Sequence, residues 1–228
     1  MELCVTEISI EQTAFGGLAF ADNPEPRCAC VLVLDNSGSM AGHKITHLNE
    51  GVRYFKEELL SDSLAAKRVE VAVVSFGPVT ERHEFANPAD FFPPELEPEG
   101  DTPMGAACRK AIEMVEARKS VYRVNGISFY RPWIILMTDG DPTDSISEAA
   151  GLIKAGEASK KFAFFAIGVD DANMTRLAEL SSRPARKLRG TSFKEFFLWL
   201  SSSMKSVSQS SPTADTVALP SPDGWTSL

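Results

Sequence analysis

Three oxygen-bearing side chains follow one another at a spacing of two: Asp35, Ser37 and Ser39. They come directly after a short apolar run, residues 29–34, whose composition is typical of a strand buried on both faces. Ligands bind at such strand ends in open α/β sheets. One carboxylate and two hydroxyls suit Mg²⁺, which takes oxygen ligands at about 2.0–2.1 Å and keeps several waters. Gly38, between the serines, is expected to need a positive φ in a tight turn. Short Asp/Ser turns also occur for turn chemistry alone, so the trio needs support from elsewhere.

Two later segments supply further oxygen atoms. Thr102 is predicted at a helix N-cap, with Pro103 at the first helical position, and its hydroxyl has a second lone pair that could bind a metal. Asp139 ends another apolar run, residues 132–138, predicted to form a strand beside the first. An ionised carboxylate near the core is costly unless it is paired or bound to a metal. Two neighbouring strands that end on Asp therefore favour a cation site. The alternatives are that Thr102 only caps a helix and that Asp139 is a turn residue.

Together the three segments resemble the metal-ion-dependent adhesion site (MIDAS) of von Willebrand factor A domains. The matching residues are Asp35-x-Ser37-x-Ser39, Thr102 within Gly-Asp-Thr-Pro-Met-Gly, and Asp139 within Thr-Asp-Gly. The resemblance covers roughly residues 27–207. Four further stretches are similar to the small bacterial TerY-type proteins of tellurium-resistance and stress clusters. They are Leu-Asn-Glu-Gly at 48–51, Arg-Val-Glu-Val-Ala at 68–72, Tyr-Arg-Pro-Trp-Ile at 130–134 and Gly-Trp at 224–225.

The resemblance implies both a fold and a site. The fold would be α/β, with a doubly wound, mainly parallel six-stranded sheet, one antiparallel edge strand and helices on both faces. One Mg²⁺ or Mn²⁺ would be bound by Ser37, Ser39 and Thr102 directly or nearly so, and by Asp35 and Asp139 directly or through water. An Asp or Glu of a protein partner would complete the shell. The family implies an adaptor and not an enzyme, in a stress-response or phosphorylation-linked system with a protein phosphatase or kinase as candidate partner.

Hydrophobic periodicity predicts the elements that position these residues. Apolar residues at 45, 48, 52, 55 and 59 mark one face of a helix. Ser145 and Glu148 form a capping-box pattern before another helix. Strands alternating with helices indicate right-handed βαβ units and a mainly parallel sheet. Further strands are predicted at 69–76, 79–85 (an antiparallel edge), 162–169 and 186–188, and further helices at 103–118, 174–180 and 193–204.

The chain is predicted to have three parts. Residues 1–26 form an N-terminal arm or edge strand, with the candidate strand at 5–10. Residues 27–207 form the domain, in which residues 119–131 are a polar excursion, expected as an exposed loop or hairpin. Residues 208–228 are a Ser/Pro-rich tail, whose Val217, Leu219 and Trp225 are expected to pack back on the domain.

Composition excludes several classes of function. The chain has 23 Lys and Arg against 31 Asp and Glu, a net charge of −8, which argues against nucleic-acid binding. No apolar run approaches the roughly 18–20 residues of a membrane span, and the start of the chain lacks a basic leader. The four cysteines form no disulfide-framework pattern, and Cys28 and Cys30 are expected as free, buried thiols. We therefore expect a cytoplasmic location.

Other residues are candidates for the surroundings of the metal. Helices predicted to begin near Gly42 and Pro103 would point their positive dipole ends at the same rim, which favours an anion. His43 and His47 have the spacing of a zinc-binding pair, but a third ligand is not evident. The candidates for apolar or aromatic contacts at the rim are Met40, His43, Met104, Phe91 and Phe92.

Two enzymatic interpretations and one structural interpretation compete with the adaptor. Asp139 and Asp141, in Asp-Gly-Asp-Pro-Thr after a strand, look like a haloacid-dehalogenase phosphatase with a phosphoryl acceptor and an acid/base. That interpretation leaves the other four oxygen-bearing residues without a role. A Ser–His–Asp hydrolase using Ser37 lacks the Gly-x-Ser-x-Gly turn. The third alternative is a metal-free structural scaffold.

Overall fold

The structure is a computed structural model that describes residues 20, 22–214 and 216–227. The predicted strand at 5–10, and most of the N-terminal arm around it, lie outside the described residues. The strands are β1 Cys28–Asp35, β2 Val69–Phe76, β3 Val79–Ala86, β4 Trp133–Thr138, β5 Ala163–Gly168, β6 Arg186–Leu188 and β7 Thr226–Ser227.

These strands form one sheet in the order β3-β2-β1-β4-β5-β6-β7. Strands β2, β1, β4, β5 and β6 run parallel to one another, and β3 pairs antiparallel with β2 at one edge. The predicted fold class is confirmed. The two-residue β7 adds a seventh strand, antiparallel to β6, that sequence analysis did not predict.

Helices cover both faces of the sheet. Strands β1, β2 and β4 are buried along their whole length, which explains why they are nearly continuous apolar runs. None of the described helices has both the length and the apolar character needed to cross a membrane. The helices are α1 His43–Leu60, α2 Ala65–Arg68, α3 Met104–Val124, α4 Ser147–Ala158, α5 Met174–Leu180 and α6 Phe193–Gln209. α1 and α6 contribute to the core on one face, and α3, α4 and α5 to the core on the other.

The strand order reverses at β1, which lies between β2 and β4. From β1 the chain builds β2 and β3 on one side and then returns to place β4 on the other. The β1–β4 register aligns Leu34 with Met137, so Asp35 lies beside Thr138 and close to Asp139. Open α/β sheets bind ligands at this kind of position, outside the carboxyl ends of the strands.

Helix α3 is longer than predicted and includes the first half of the supposed excursion. It ends at Val124, so the prediction of an exposed loop is wrong for residues 119–124. Lys119 and Tyr122 are buried. Lys119 Nζ lies 2.7 Å from Glu116 Oε1, and the Tyr122 hydroxyl donates to Glu70. The sequence of this segment is polar enough to suggest a loop, but it forms a helix in which Glu116 and Glu70 pair with the buried polar groups of Lys119 and Tyr122.

The C-terminal segment packs on the domain through Trp225 and Val217, as predicted, whereas Leu219 is exposed, contrary to prediction. Helix α6 continues to Gln209, beyond the predicted end at 204, and the Ser206 and Ser208 hydroxyls donate back to carbonyls of the same helix at 3.1 and 2.8 Å. Beyond the helix, Trp225 is buried, and Trp199 Nε1 donates to the Pro220 carbonyl at 2.9 Å. Hydrogen bonding and aromatic burial therefore hold a segment whose composition is that of a linker.

A buried charge cluster joins β1, β2 and α3 at the amino end of the sheet. Its centre is Glu70, which is 1% exposed. Arg118 donates to the Glu70 carboxylate from Nε at 2.7 Å and from Nη2 at 2.8 Å. Arg27 Nε lies 3.3 Å from the same carboxylate, and the Tyr122 hydroxyl donates to it. One buried carboxylate thus compensates two largely buried guanidinium groups.

Replacing Glu70 with Gln is expected to destabilise the protein strongly. The change keeps the shape of the side chain but leaves Arg27 and Arg118 without their counter-charge, at a cost of about 3–5 kcal/mol. Chemical denaturation measures this loss. Glu113→Gln, on the exposed face of α3, is the matched control and should change the free energy of unfolding by less than about 0.5 kcal/mol. Equal effects of the two substitutions would contradict the role given to Glu70.

Candidate metal centre

Asp35 is the innermost of the predicted site residues. Its side chain is completely buried at the carboxyl end of β1. Oδ1 accepts a hydrogen bond from the Ser37 backbone N–H at 2.8 Å, and Oδ2 accepts one from the Thr138 hydroxyl. The first bond shapes the loop after β1, and the second links β1 to β4. Asp35 is therefore fixed in orientation by its own loop and by the neighbouring strand.

A chain of hydroxyls connects this loop to Asp139. Ser37 Oγ and Ser39 Oγ are 3.0 Å apart, and Ser39 Oγ donates to Asp139 Oδ1 at 2.7 Å. The other carboxylate oxygen of Asp139 accepts an ion-paired hydrogen bond from Lys44 Nζ, which comes from the first turn of α1. Ser39 is exposed, whereas Ser37 and Asp139 are buried. The group thus runs from the interior towards solvent.

Thr102 lies at the same place, next to Gly140. A Cβ added to Gly140 would be 3.3 Å from Thr102 Oγ1 and 3.7 Å from Ser39 Oγ. The segment that contains Thr102 therefore lies against the loop that contains Ser39. The five predicted residues therefore come together at the carboxyl edge of β1 and β4. Close packing of the hydroxyls favours a residue without a side chain at position 140.

Thr102 does not cap α3, contrary to prediction. The N-cap residue is Pro103, without a side-chain cap hydrogen bond. Instead the Asp144 carboxylate accepts hydrogen bonds from the backbone N–H groups of Gly105 and Ala106, each at 2.8 Å. Asp144 arrives from the loop after β4, so tertiary structure supplies the cap. The Thr102 hydroxyl is thereby not needed for the helix end.

The loop after β1 is locked against residues 97–100. Asn36 Nδ2 donates to the Glu97 carbonyl at 2.9 Å, and the Asn36 carbonyl accepts from the Glu99 N–H at 2.7 Å. A Cβ at Gly77 would come within 2.3 Å of the Glu99 carbonyl oxygen, so this approach requires glycine. Asn36 therefore fixes the shape of the loop, a role that sequence analysis did not assign to it.

The donor set fits a hard cation that needs few protein ligands. Two carboxylates and three hydroxyls converge, and the only ammonium among their described partners is that of Lys44. The described residues contain no group of three or more His, Cys, Asp or Glu arranged to hold a metal. The five site residues would not form such a group, because only Asp35 and Asp139 among them are of these residue types. Sequence analysis missed Lys44, since nothing in its spacing signals a contact with Asp139.

Several expectations about the surroundings were wrong. Gly38 begins a 3₁₀ turn, Gly38–Met40, and does not have a positive φ, whereas Gly42 does. Met40, Met104 and Phe91 are buried in the core and cannot contact a partner at the rim. His43 is exposed at the first turn of α1 and remains available, whereas Phe92 is 71% exposed but packs beside Lys56, farther along the same helix.

The predicted capping box and zinc pair also differ from the structure. The N-cap of α4 is Ile146, without a side-chain hydrogen bond, so the Ser145–Glu148 capping box does not form. The rings of His43 and His47 lie 6.1 Å apart, and His43 Nε2 lies 3.9 Å from Asp170 Oδ2. Histidines at one turn's spacing thus face each other on α1 without forming a ligand cluster with other described residues.

The fold and the site define an α/β interaction domain with a hydroxyl-rich carboxylate site at the switch point of its sheet. The chain belongs to the von Willebrand factor type A domain family, whose model matches residues 30–198. Domains of this family are generally non-catalytic, metal-dependent protein-interaction modules. A stretch of 113 residues is 34% identical to the collagen alpha-4(VI) chain of Mus musculus and covers 48% of this chain but 4% of that protein.

Solved structures show the same fold. Proximal thread matrix protein 1 from the mussel byssus has a TM-score of 0.56 at 16% identity, over 79% of this chain and 48% of its own. The pilus adhesin SpaC of Lactobacillus rhamnosus GG has a TM-score of 0.63 at 15% identity, over 81% and 31%. Another structure of the mussel protein, described as having a zinc-occupied MIDAS motif, has a TM-score of 0.55 at 16% identity, over 80% and 48%. The chain thus spans less than half the length of these proteins.

The Asp35 carboxyl should make stability depend on pH in the metal-free protein. Burial raises the pKa of Asp35, although hydrogen bonds from Ser37 and Thr138 act in the opposite direction, and the charge of Asp139 adds to the rise. The folded state therefore holds this proton more tightly than the unfolded state. The resulting penalty is absent below the ordinary pKa of Asp and develops as pH rises to the folded value.

Asp35→Asn should remove this penalty. The free energy of unfolding of the variant, relative to wild type, is expected to increase as pH rises through that window and then to level off. Denaturation of metal-free protein across the acid range measures the difference. Asp141→Asn, at an exposed position, is the control. If the difference in free energy of unfolding between Asp35→Asn and wild type does not change with pH, Asp35 is not the source of the penalty.

Proposed function

We propose that this chain is a metal-ion-dependent protein-binding module whose metal is held by Asp35, Ser37, Ser39, Thr102 and Asp139. The observation that carries the proposal is the meeting of these oxygen-bearing side chains, from three separate loops, at the carboxyl edge of β1 and β4. Packing alone does not account for two buried carboxylates at adjacent strand ends, since Lys44 supplies only one positive charge for the two.

Mg²⁺ or Mn²⁺ is the ion that we assign to this site. Hydroxyl and carboxylate oxygens are the ligands these hard ions prefer, and a few protein ligands leave positions for water and for a partner. The mussel protein with a zinc-occupied MIDAS motif supports a divalent ion at this position of the fold. When bound, such an ion supplies an electrophilic centre for an incoming carboxylate.

The partner is proposed to contribute an Asp or Glu. Two protein carboxylates against a divalent ion leave the centre near neutral, so a third carboxylate is not repelled. Helices α1 and α3 begin next to the site, and their N-terminal dipoles favour an anion. Phe92 is exposed, but Lys56 Nζ lies 4.7 Å from its ring centroid, and Lys56 is about 18 Å along α1 from Lys44, so we assign Phe92 no contact at the metal centre.

We further propose a bacterial, cytoplasmic adaptor in a stress-response or phosphorylation-linked system, with a protein phosphatase or kinase as partner. The TerY-type stretches of the sequence support this assignment. We propose no catalytic role for Asp139, because a phosphatase would leave Asp35, Ser37, Ser39 and Thr102, which meet Asp139 at the same strand ends, without a function.

Metal binding is tested by calorimetry. Wild type is expected to bind one Mg²⁺ or Mn²⁺ with modest affinity, and Asp35→Ala should abolish the signal. Lys44→Met should strengthen binding about three- to tenfold, because the ammonium that competes for Asp139 is gone. Lys154→Met, at an exposed position on α4, is the control for lost charge. Equal metal affinity in wild type and Asp35→Ala would exclude this site.

Partner binding is tested with Ser37→Ala combined with Ser39→Ala. Proteins captured with Mg²⁺ and released by EDTA are purified, and their affinities are measured individually. The double variant should lose at most about 1–2 kcal/mol of stability, while its affinity for the partner falls at least about a hundredfold. EDTA should lower the affinity of wild type for the partner to the same degree.

Two exposed serines give the matched control, Ser120→Ala with Ser182→Ala. This variant should bind the partner and respond to EDTA as wild type does. If the Ser37/Ser39 variant is folded and retains wild-type affinity and EDTA response, the metal site is not the recognition element.

A further inference from the structure

A strongly basic pocket lies at the amino ends of the parallel strands, opposite the end that carries the candidate metal centre. It lies by the amino ends of β4 and β5, since its lining residues include Pro132, directly before β4, and Lys161, two residues before β5. Three separate segments contribute cations: the end of α3, the residue pair before β4, and the loop after α4. We call it the basic pocket, and its cationic lining residues are Lys119, Arg123, Arg131, Lys160 and Lys161.

This concentration of positive charge is opposite to the charge of the whole chain, which is −8. Among the described residues that line the pocket, none is acidic. Asp215 lies outside the described residues. Lys119 is paired with Glu116 at 2.7 Å, so part of the charge is compensated. Lys160 also has a partner, so the charge available to an anion is that of Arg123, Arg131 and Lys161.

The hydrogen bonds and ring contact of Arg131 and Arg123 are made with groups other than carboxylates. Arg131 donates from Nε to the Phe162 carbonyl at 2.9 Å and from Nη2 to the Glu157 carbonyl at 3.0 Å. The Arg123 guanidinium lies over the Phe129 ring, 5.6 Å from its centroid. Carbonyls and a ring orient these two guanidinium groups but do not neutralise them.

Favourable placement at helix ends explains only part of the arrangement. Arg123 is in the last turn of α3, and Lys160 and Lys161 follow α4, where cations interact well with the helix dipole. Arg131 is at neither helix end. Burial lowers its pKa, the charge of Arg183 adds to this effect, and Glu157 opposes it. An anion in the pocket would relieve this unfavourable environment.

We propose that the basic pocket is a phosphate-binding site. One guanidinium group can donate two parallel hydrogen bonds to two phosphate oxygens, and a lysine ammonium adds a point charge. A phosphate monoester carries about −1.5 to −2 charges and three acceptor oxygens, so it uses several converging cations better than one carboxylate does. The site is independent of the proposed metal centre, because it lies at the other edge of the sheet.

The wall of the pocket offers one covalent source of that phosphate. Thr213 lines the pocket, is exposed, and shares a 2.8 Å hydrogen bond between its Oγ1 and Ser211 Oγ. A protein kinase would transfer the γ-phosphoryl group of ATP to Thr213 Oγ1. A new P–O bond forms, the bond to ADP breaks, and a base of the kinase takes the hydroxyl proton. The second source is a phosphate that is free or carried by a partner.

The first experiment titrates full-length protein with inorganic phosphate at low ionic strength and follows amide NMR shifts. Wild type should show saturable shifts at the basic pocket. Arg123→Gln with Lys161→Gln should bind about tenfold more weakly. Lys154→Gln with Lys194→Gln removes the same charge at exposed positions that do not line the pocket, and should bind as wild type does. Equal weakening in both double variants would mean a general charge effect and would overturn the proposal.

The second experiment separates the two sources. Protein is made with phosphothreonine at position 213, and the pKa of the phosphate is followed by ³¹P NMR. In a peptide of residues 208–218 this pKa should be about 6. A lower pKa in the folded chain, raised again by Arg123→Gln with Lys161→Gln, and loss of inorganic phosphate binding identify the chain's own tail as the source.

An unchanged phosphate pKa together with saturable, pocket-dependent binding of inorganic phosphate identifies an external source. A peptide-like pKa combined with no saturable phosphate binding overturns the proposal. Calorimetry with Mg²⁺ on the pocket variants should match wild type, so failure of this proposal is distinguishable from failure of the metal centre.

Discussion

The carboxylates of Asp35 and Asp139 are the constraint on which the site depends. They end adjacent parallel strands, and each is buried, so the cost of their charge must be offset locally. Two strategies are visible. Asp35 is held by hydrogen bonds from Ser37 and Thr138, and Asp139 is paired with Lys44 and bonded to Ser39. The loops around them take their shapes from these bonds, which explains why segments far apart in the sequence meet here.

The amino end of the sheet solves a similar problem differently. Glu70 is also buried, but Arg27 and Arg118 compensate it and Tyr122 donates a further hydrogen bond. That cluster is complete within the protein and has a structural role. At the carboxyl end the cation comes from a partly exposed lysine, whose contact can be exchanged for another cation. The difference in completeness separates a stabilising cluster from a candidate binding centre.

The two edges of the sheet therefore have different electrostatic characters. The carboxyl edge gathers acidic and hydroxyl oxygens, and the amino edge gathers the cations of the basic pocket beside the C-terminal segment. Thr213 of this segment lines the pocket, and the segment is held to the domain farther along the chain by β7 and by Trp225. A domain with two separate polar sites can respond to two different ligands without requiring the sites to share residues.

The sequence by itself determined most of the sheet and the candidate site. Buried parallel strands are continuous apolar runs, so their ends were recognisable, and Asp35, Ser37, Ser39, Thr102 and Asp139 follow from the ends of such runs and from family motifs. Local patterns failed where distant partners decided the outcome. Asp144 replaced the predicted Thr102 cap, and Glu70 and Glu116 turned a polar excursion into helix. Lys44 became a partner of Asp139 only because the sheet places α1 beside β4. Spacing along the chain records a strand or helix period, but it does not record which side chain a buried charge will meet.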